Sequence, residues 1–270
     1  MRRLRKSPKG AAGSSRRASL GAARISVVIP VRNERRTLAA VIREALKVSP
    51  GRVEIIVVVN GSTDGSGTIA EAMGAKVVRY EEALGHDVGR SVGALHATGD
   101  ILLFIDGDAP VPAAQLRPYV RAVQRGTDVA LNRYLGPVRS RHTHPVVLAK
   151  HVLNTALGMS GLQGASMTTV PHAISRKALN AVGAPALSVP PLAQTMAICC
   201  RLKVRAVHLV NIGRVNRLRG RRKSRQGMDA VGQLIVGDHL EALHWYLGQS
   251  GSRGIYKDRI RRRETAGEPI

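Results

Sequence analysis

From Arg24 onward, apolar residues fall into short bursts separated by polar turns, and the spacing within each burst names an element. Residues 25–29 (Ile-Ser-Val-Val-Ile) form a β-branched run that Pro30 stops, as in a buried parallel strand. Leu38, Val41, Ile42, Ala45 and Leu46 follow at helical spacing, and Gly51 closes the connection. A second buried strand is predicted over 53–59, a loop over 60–66, and a short helix to about residue 73, ended by Gly74. A strand over 75–80, a helix over 88–96 and a strand over 101–105 complete this half, and Asp106-Gly107-Asp108 comes directly after. In the second half the pattern predicts helices over 112–124, 146–157, 175–182 and 190–202, and strands over 128–132, 167–172 and 204–210. A long helix is predicted over 229–247, with Val231, Leu234, Ile235 and Leu243 as its buried residues. There is no internal repeat.

Strands alternating with helices imply right-handed crossovers and an α/β fold with a mostly parallel sheet. Ligands of such sheets sit at the carboxyl ends of the strands. That rule gathers three loops, 30–34, 60–66 and 106–108, into one predicted site. Residues 1–23 read as a disordered basic arm, 24–248 as the folded domain and 249–270 as a basic tail.

Composition narrows the partners. Lys plus Arg number 42 against 18 Asp plus Glu, a formal charge of +24, so an anionic partner is expected. Nucleic acid, an anionic membrane surface and a diphosphate-bearing substrate all meet that description; nucleotide bias in the genome is the plain alternative. Aromatic residues make up only 3%, too few for a base-stacking platform, and no zinc-finger spacing occurs, so nucleic acid is the weaker reading. The only cysteines, Cys199 and Cys200, are adjacent and ill suited to a structural disulfide. No apolar run approaches the roughly 20 residues that span a bilayer, and the first residues lack the apolar centre of a signal peptide. The expected location is cytoplasmic, with a peripheral place at the inner face of the membrane as one option.

The candidate chemistry centres on Asp106 and Asp108. Two carboxylates flank a glycine just past an apolar strand, an arrangement that offers oxygens to Mn²⁺ or Mg²⁺, and such an ion can bridge the phosphates of a nucleotide diphosphate. Taken alone, the triplet would read as an ordinary acidic turn. Its context changes that reading. Residues 25–34 (Ile-Ser-Val-Val-Ile-Pro-Val-Arg-Asn-Glu) resemble the opening strand and loop of the bacterial family-2 glycosyltransferases. Residues 58–66 resemble their second-strand signature, 89–94 the segment before their fourth strand, and 97–108 that strand with its DxD motif. The resemblance is strong over about 24–125 and weaker to about 215. It implies a GT-A-type fold and transfer of a sugar from a nucleotide-diphosphate sugar to an acceptor, a lipid-linked one among the options. It also implies a divalent metal at Asp106 and Asp108, and contacts to the nucleotide from Pro30, Arg32, Glu34, Asn60, Arg90 and Asp106. His208, on a late strand, is implied as a third metal ligand, against the plainer reading of a packed histidine. Arg90 reads equally well as a solvated helix residue, Glu34 as a helix-start carboxylate and Asp64 as a helix cap. The start of the helix at 175–179 resembles the family's acceptor side, and its basic residues would face either the acceptor or only solvent.

Two departures matter. Asn60 and Arg32 stand where the family often has an aspartate that reads the base and an aromatic residue; guanidinium stacking could replace the aromatic. No carboxylate occurs from Val129 to Met228, where inverting members usually place their general base. Asp238 and Glu241, on one face of the last helix, are the substitutes, ahead of His172 or His239. A retaining enzyme without such a base, or a domain that binds nucleotide sugar without turning it over, are the alternatives; for the two acids, an exposed helix surface is the plain one. The first strand lacks the G-x-G-x-x-G of dinucleotide-binding enzymes. The P-loop lysine and the glycine-rich basic loop of nucleotidyltransferases are absent too.

Overall fold

The computed structural model describes residues 23–136, 143–212 and 229–263. The basic arm over residues 1–22 and the Arg-rich loop over 213–228 lie outside them. The chain runs β1 (Ile25–Val31), α1 (Leu38–Leu46), β2 (Val53–Asn60), α2 (Ser66–Ala72), β3 (Lys76–Tyr80), α3 (Val88–His96) and β4 (Ile101–Phe104). It continues with α4 (Ala113–Gln124), β5 (Val129–Asn132), α5 (Pro145–Ala156), β6 (His172–Ser175), α6 (Arg176–Val182), α7 (Pro190–Cys199) and β7 (Val204–His208). A last helix, α8, covers Ala230–Ser250.

The seven strands form one sheet in the order β3-β2-β1-β4-β6-β5-β7, with β6 antiparallel to both neighbours. The mostly parallel sheet flanked by helices is therefore as the alternation predicts. Side-chain alternation along β1 supplies both faces. Val27 and Ile29 pack with Leu38, Ile42 and Leu116 on one side, and Val28 packs with Ile56, Phe104 and Ile174 on the other. Each such side chain contributes about 1.5–3 kcal/mol by leaving water.

Four details depart from the pattern-based reading, each for a physical reason. Pro30 does not stop β1, which continues to Val31. Backbone groups of even-numbered residues face β4, as Val28 does in accepting from Ile105 N, and β4 pairs no further than Val28–Phe104. The N–H that Pro30 lacks thus removes no ladder bond. The strand expected over 167–172 begins only at His172, because Pro171 offers no donor and Thr169 N turns back onto Ser166 O. Since β6 is antiparallel, the helix after it starts at the sheet edge opposite the predicted site. Arg176 there donates to Gly99 O and Ala97 O at 2.6–3.0 Å, which rules out the acceptor-facing role implied for that helix start. Finally, α8 buries Gly232, His239, Ala242 and Tyr246, while Val231 and Leu234 are 46% and 44% exposed. Its apolar residues occupy most of the circumference, so periodicity alone does not select the face that meets α5 and α7.

Helix α8 extends to Ser250, and the chain after it folds back, with Tyr256 Oη donating to Thr155 O at 2.9 Å. Cys199 and Cys200 are free and exposed. Among the described residues no helix is long and apolar enough to cross a membrane.

Candidate active site at the carboxyl edge of the sheet

Because β1, β2 and β4 are parallel, the loops after them meet at one edge, and side chains fasten them together. Asn33 N donates to Ser62 Oγ at 3.0 Å, and Thr63 N donates to Asn33 Oδ1 at 2.9 Å. Asp64 accepts from Arg35 N and Ser66 N, so it ties the first two loops together and is more than a helix cap. Burial alone would raise its pKa, but the Ser66 hydroxyl and these N–H donors outweigh that and hold it below the usual range. Thr37 Oγ1 donates to Gly107 O at 2.8 Å and brings in the third loop.

These loops surround a cavity of about 540 Å³. Pro30, Arg32, Glu34, Asn60, Arg90, Asp106 and Asp108 line it, so all the expected nucleotide contacts and both expected metal carboxylates share one space. Gly85, His86, Asp87 and Val231 line it as well.

Glycines let α3 deliver Arg90 to this place. A Cβ at Gly89 would stand 2.9 Å from Pro30 Cβ, and one at Gly93 would overlap Val28 Cγ1. The helix therefore lies directly on β1 and β2 and carries Arg90 into the cavity lining, 4% exposed. Its guanidinium pairs with Asp87 and, at 3.2 Å, with Asp106 Oδ1. Desolvation opposes the charge, yet the two carboxylates prevail and raise the Arg90 pKa. Asp87 is likewise opposed by burial and held low by Arg90 and His86. Arg90 is thus neither solvated nor free, and it fixes Asp106. Replacing it with leucine strands the buried carboxylate of Asp87, and we expect a cost of about 3–5 kcal/mol, read as a lowered urea midpoint.

Asn60 is also committed. Its Nδ2 donates to Gly85 O at 3.0 Å, and its Oδ1 accepts from Leu84 N. An aspartate could make only the second bond. Asn60 therefore clamps the loop between β3 and α3, where the sequence reading expected a contact to a base.

A family model for Glycosyl transferase family 2 matches residues 26–182, more than half of the chain. The chain belongs to glycosyl transferase family 2. An uncharacterized glycosyltransferase of Mycobacterium bovis is 35% identical over 109 residues, covering 40% of this chain and 48% of that protein. Glucosyl-3-phosphoglycerate synthase of Mycobacterium tuberculosis is 39% identical over 106 residues, 36% of this chain and 32% of that protein. The alignments thus span about half or less of these curated relatives. The crystal structure of that synthase with Mn²⁺, uridine diphosphate and phosphoglyceric acid superposes with a TM-score of 0.58 at 26% identity, over 82% of this chain and 78% of that one. Mannosyl-3-phosphoglycerate synthase of Rubrobacter xylanophilus shares the fold, with a TM-score of 0.61 at 18% identity over 90% of this chain and 79% of that one.

The remaining candidates of this family-2 chain are placed unevenly. Asp238 is half-buried on α8, two helical turns from Val231 and on the same face. Its pKa is pushed up to about 6 by burial first, then by the charges of Asp87 and Glu241, with His86 opposing. It therefore lies within electrostatic reach of the cavity wall. Glu241 is exposed. His208 ends β7 with its ring edge-on to Tyr119 at 6.1 Å and is not in the cavity lining. Among the described residues no three His, Cys, Asp or Glu side chains gather to hold a metal. His172 is 1% exposed and stacked on Phe104 at 4.9 Å, and burial drives its pKa down to about 3. His239 is 3% exposed, turned to Ile235 O and driven down to about 4. Neither histidine faces the cavity as a base. The sequence reading missed His86 and Asp87. The rule that placed three loops at this edge also places the β3–α3 loop there, and applying it would have found them.

Proposed function

We propose that this chain is a metal-dependent glycosyltransferase that takes glucose or a similar sugar from a uridine-diphosphate donor and passes it to a small phosphorylated acid. The observation that carries the reading is the shared cavity. Asp106 and Asp108 line the same space as the loops after β1 and β2. The synthase with Mn²⁺, uridine diphosphate and phosphoglyceric acid supports the donor, the metal and the acceptor class.

The donor set fits Mn²⁺ or Mg²⁺. Both side chains present hard carboxylate oxygens, and with no third acidic or imidazole ligand among the described residues, the coordination would be completed by phosphate oxygens and water. A cation held there would neutralise the charge that develops on the departing diphosphate. Arg90 keeps Asp106 from rotating away. Arg32, exposed at the cavity mouth, offers a flat guanidinium to the base, and Glu34 offers acceptors to ribose hydroxyls. Asp238 takes the proton from the acceptor hydroxyl as general base. Glu241 acts on Asp238 only through its charge.

The test is release of UDP from UDP-glucose with Mn²⁺, with and without phosphoglyceric acid. Stimulation by the acid supports the proposed acceptor. Stimulation only by anionic lipid vesicles would turn the acceptor into a lipid-linked one at a membrane surface, which the basic composition also fits. No UDP release under any condition would leave a nucleotide-sugar-binding domain without turnover.

A further inference from the structure

The β3–α3 loop holds an arrangement that the proposed reaction has not used. Asp87 caps α3 in a left-handed conformation, with φ of 63°, and its side chain is 3% exposed. One carboxylate oxygen pairs with Arg90, and the other lies 2.8 Å from His86 Nδ1. The loop is held from below by Asn60 through Gly85 O and Leu84 N. His86 itself is 36% exposed and lines the cavity with Asp106 and Asp108. Since Nδ1 is turned in to a buried carboxylate, the opposite ring nitrogen, Nε2, is the one left to the cavity. It makes no hydrogen bond to the described residues. The other charges around the ring are Arg90, Asp106 and, from α8, Asp238.

We propose that His86 is a second cationic anchor for the donor's diphosphate, presented by Asp87 and by the Asn60 clamp, on the donor side of the cavity. The inference rests on the glycosyltransferase reading. The carboxylate of Asp87 serves two cations, so one buried charge fixes both the support of Asp106 and the ring of His86. The carboxylate of Asp87 beside it raises the His86 pKa against the cost of burial, which favours the imidazolium. An N–H⁺ donor then faces the space where phosphate oxygens would lie, and charge-assisted bonds of this kind are the stronger class. This also gives a reason for asparagine at position 60, since only an amide bonds both Leu84 N and Gly85 O and so sets the loop that displays His86. Asp87 and Asn60 are positioning residues here; His86 is the one that touches the ligand.

The test is calorimetric binding of UDP and of inorganic pyrophosphate in EDTA, so that His86 is read without a metal ion. We expect His86→Ala to weaken both ligands about tenfold, equivalent to about 1.4 kcal/mol. His86→Lys, which restores a cation without needing Asp87, should return affinity to within about threefold of the native chain, whereas His86→Gln should remain weak. A loop that merely needed filling would be rescued by glutamine as well, and that result would overturn the proposal, as would native affinity in His86→Ala. Failure of the glycosyltransferase reading shows differently: the native chain itself would bind no UDP, with or without Mn²⁺.

Discussion

Asp108→Asn is expected to lower Mn²⁺-dependent turnover of UDP-glucose by about a hundredfold to a thousandfold, the scale seen when one preorganised electrostatic element is removed from a transition state. Asparagine keeps the volume and one carbonyl oxygen but loses the charge. A cation would then depend on Asp106, which already shares an oxygen with Arg90. Mn²⁺ should correspondingly lose most of its effect on UDP affinity. Arg90→Leu reads differently: it is expected to lower the urea midpoint, whereas Asp108→Asn is read through Mn²⁺-dependent turnover. Equal Mn²⁺-dependent turnover in the native chain and in Asp108→Asn would remove the assigned metal site.

How much of this was legible before the structure depends on what each signal is made of. The runs at 25–29, 53–59 and 101–105 announced buried strands because both faces of that part of the sheet are covered, and the parallel rule then located the cavity. Strand direction is a different matter. The short β6 reads the same in either direction, so its antiparallel course, and with it the removal of Arg176 to the far edge, was invisible. The face of α8 was misread because apolar residues surround much of it and packing against α5 and α7 made the choice. Arg90 was ambiguous for a further reason. An arginine on a helix is solvated by default, and only the close approach allowed by Gly89 and Gly93 turns it into a buried partner of Asp87 and Asp106. The missing carboxylate between residues 129 and 228, by contrast, is a plain fact of the sequence, and it is the reason for placing the proposed base on α8.

Asp238 carries the second large expectation, and its two readouts have opposite signs. Its pKa stands at about 6, raised by burial and by Asp87 and Glu241. A general base must be unprotonated, so kcat/KM should rise tenfold per pH unit up to about pH 6 and level off above about pH 7. Asp238→Asn should remove that rise and lower the plateau by about a hundredfold to ten-thousandfold. Stability runs the other way. A carboxyl whose pKa is raised from 3.8 on folding favours the folded state in its neutral form. That contribution is complete below the unfolded value and is lost as pH climbs through about 6. The native chain should therefore melt lower than Asp238→Asn at about pH 7.5, and the two should converge at about pH 4 and below. A merely half-buried acid would reproduce the melting behaviour and leave the pH–rate profile untouched. If Asp238→Asn turned over UDP-glucose at the native rate with the native pH dependence, the proton would have to leave by another route, and a reaction that retains anomeric configuration without a protein base would become the better account of this family-2 chain.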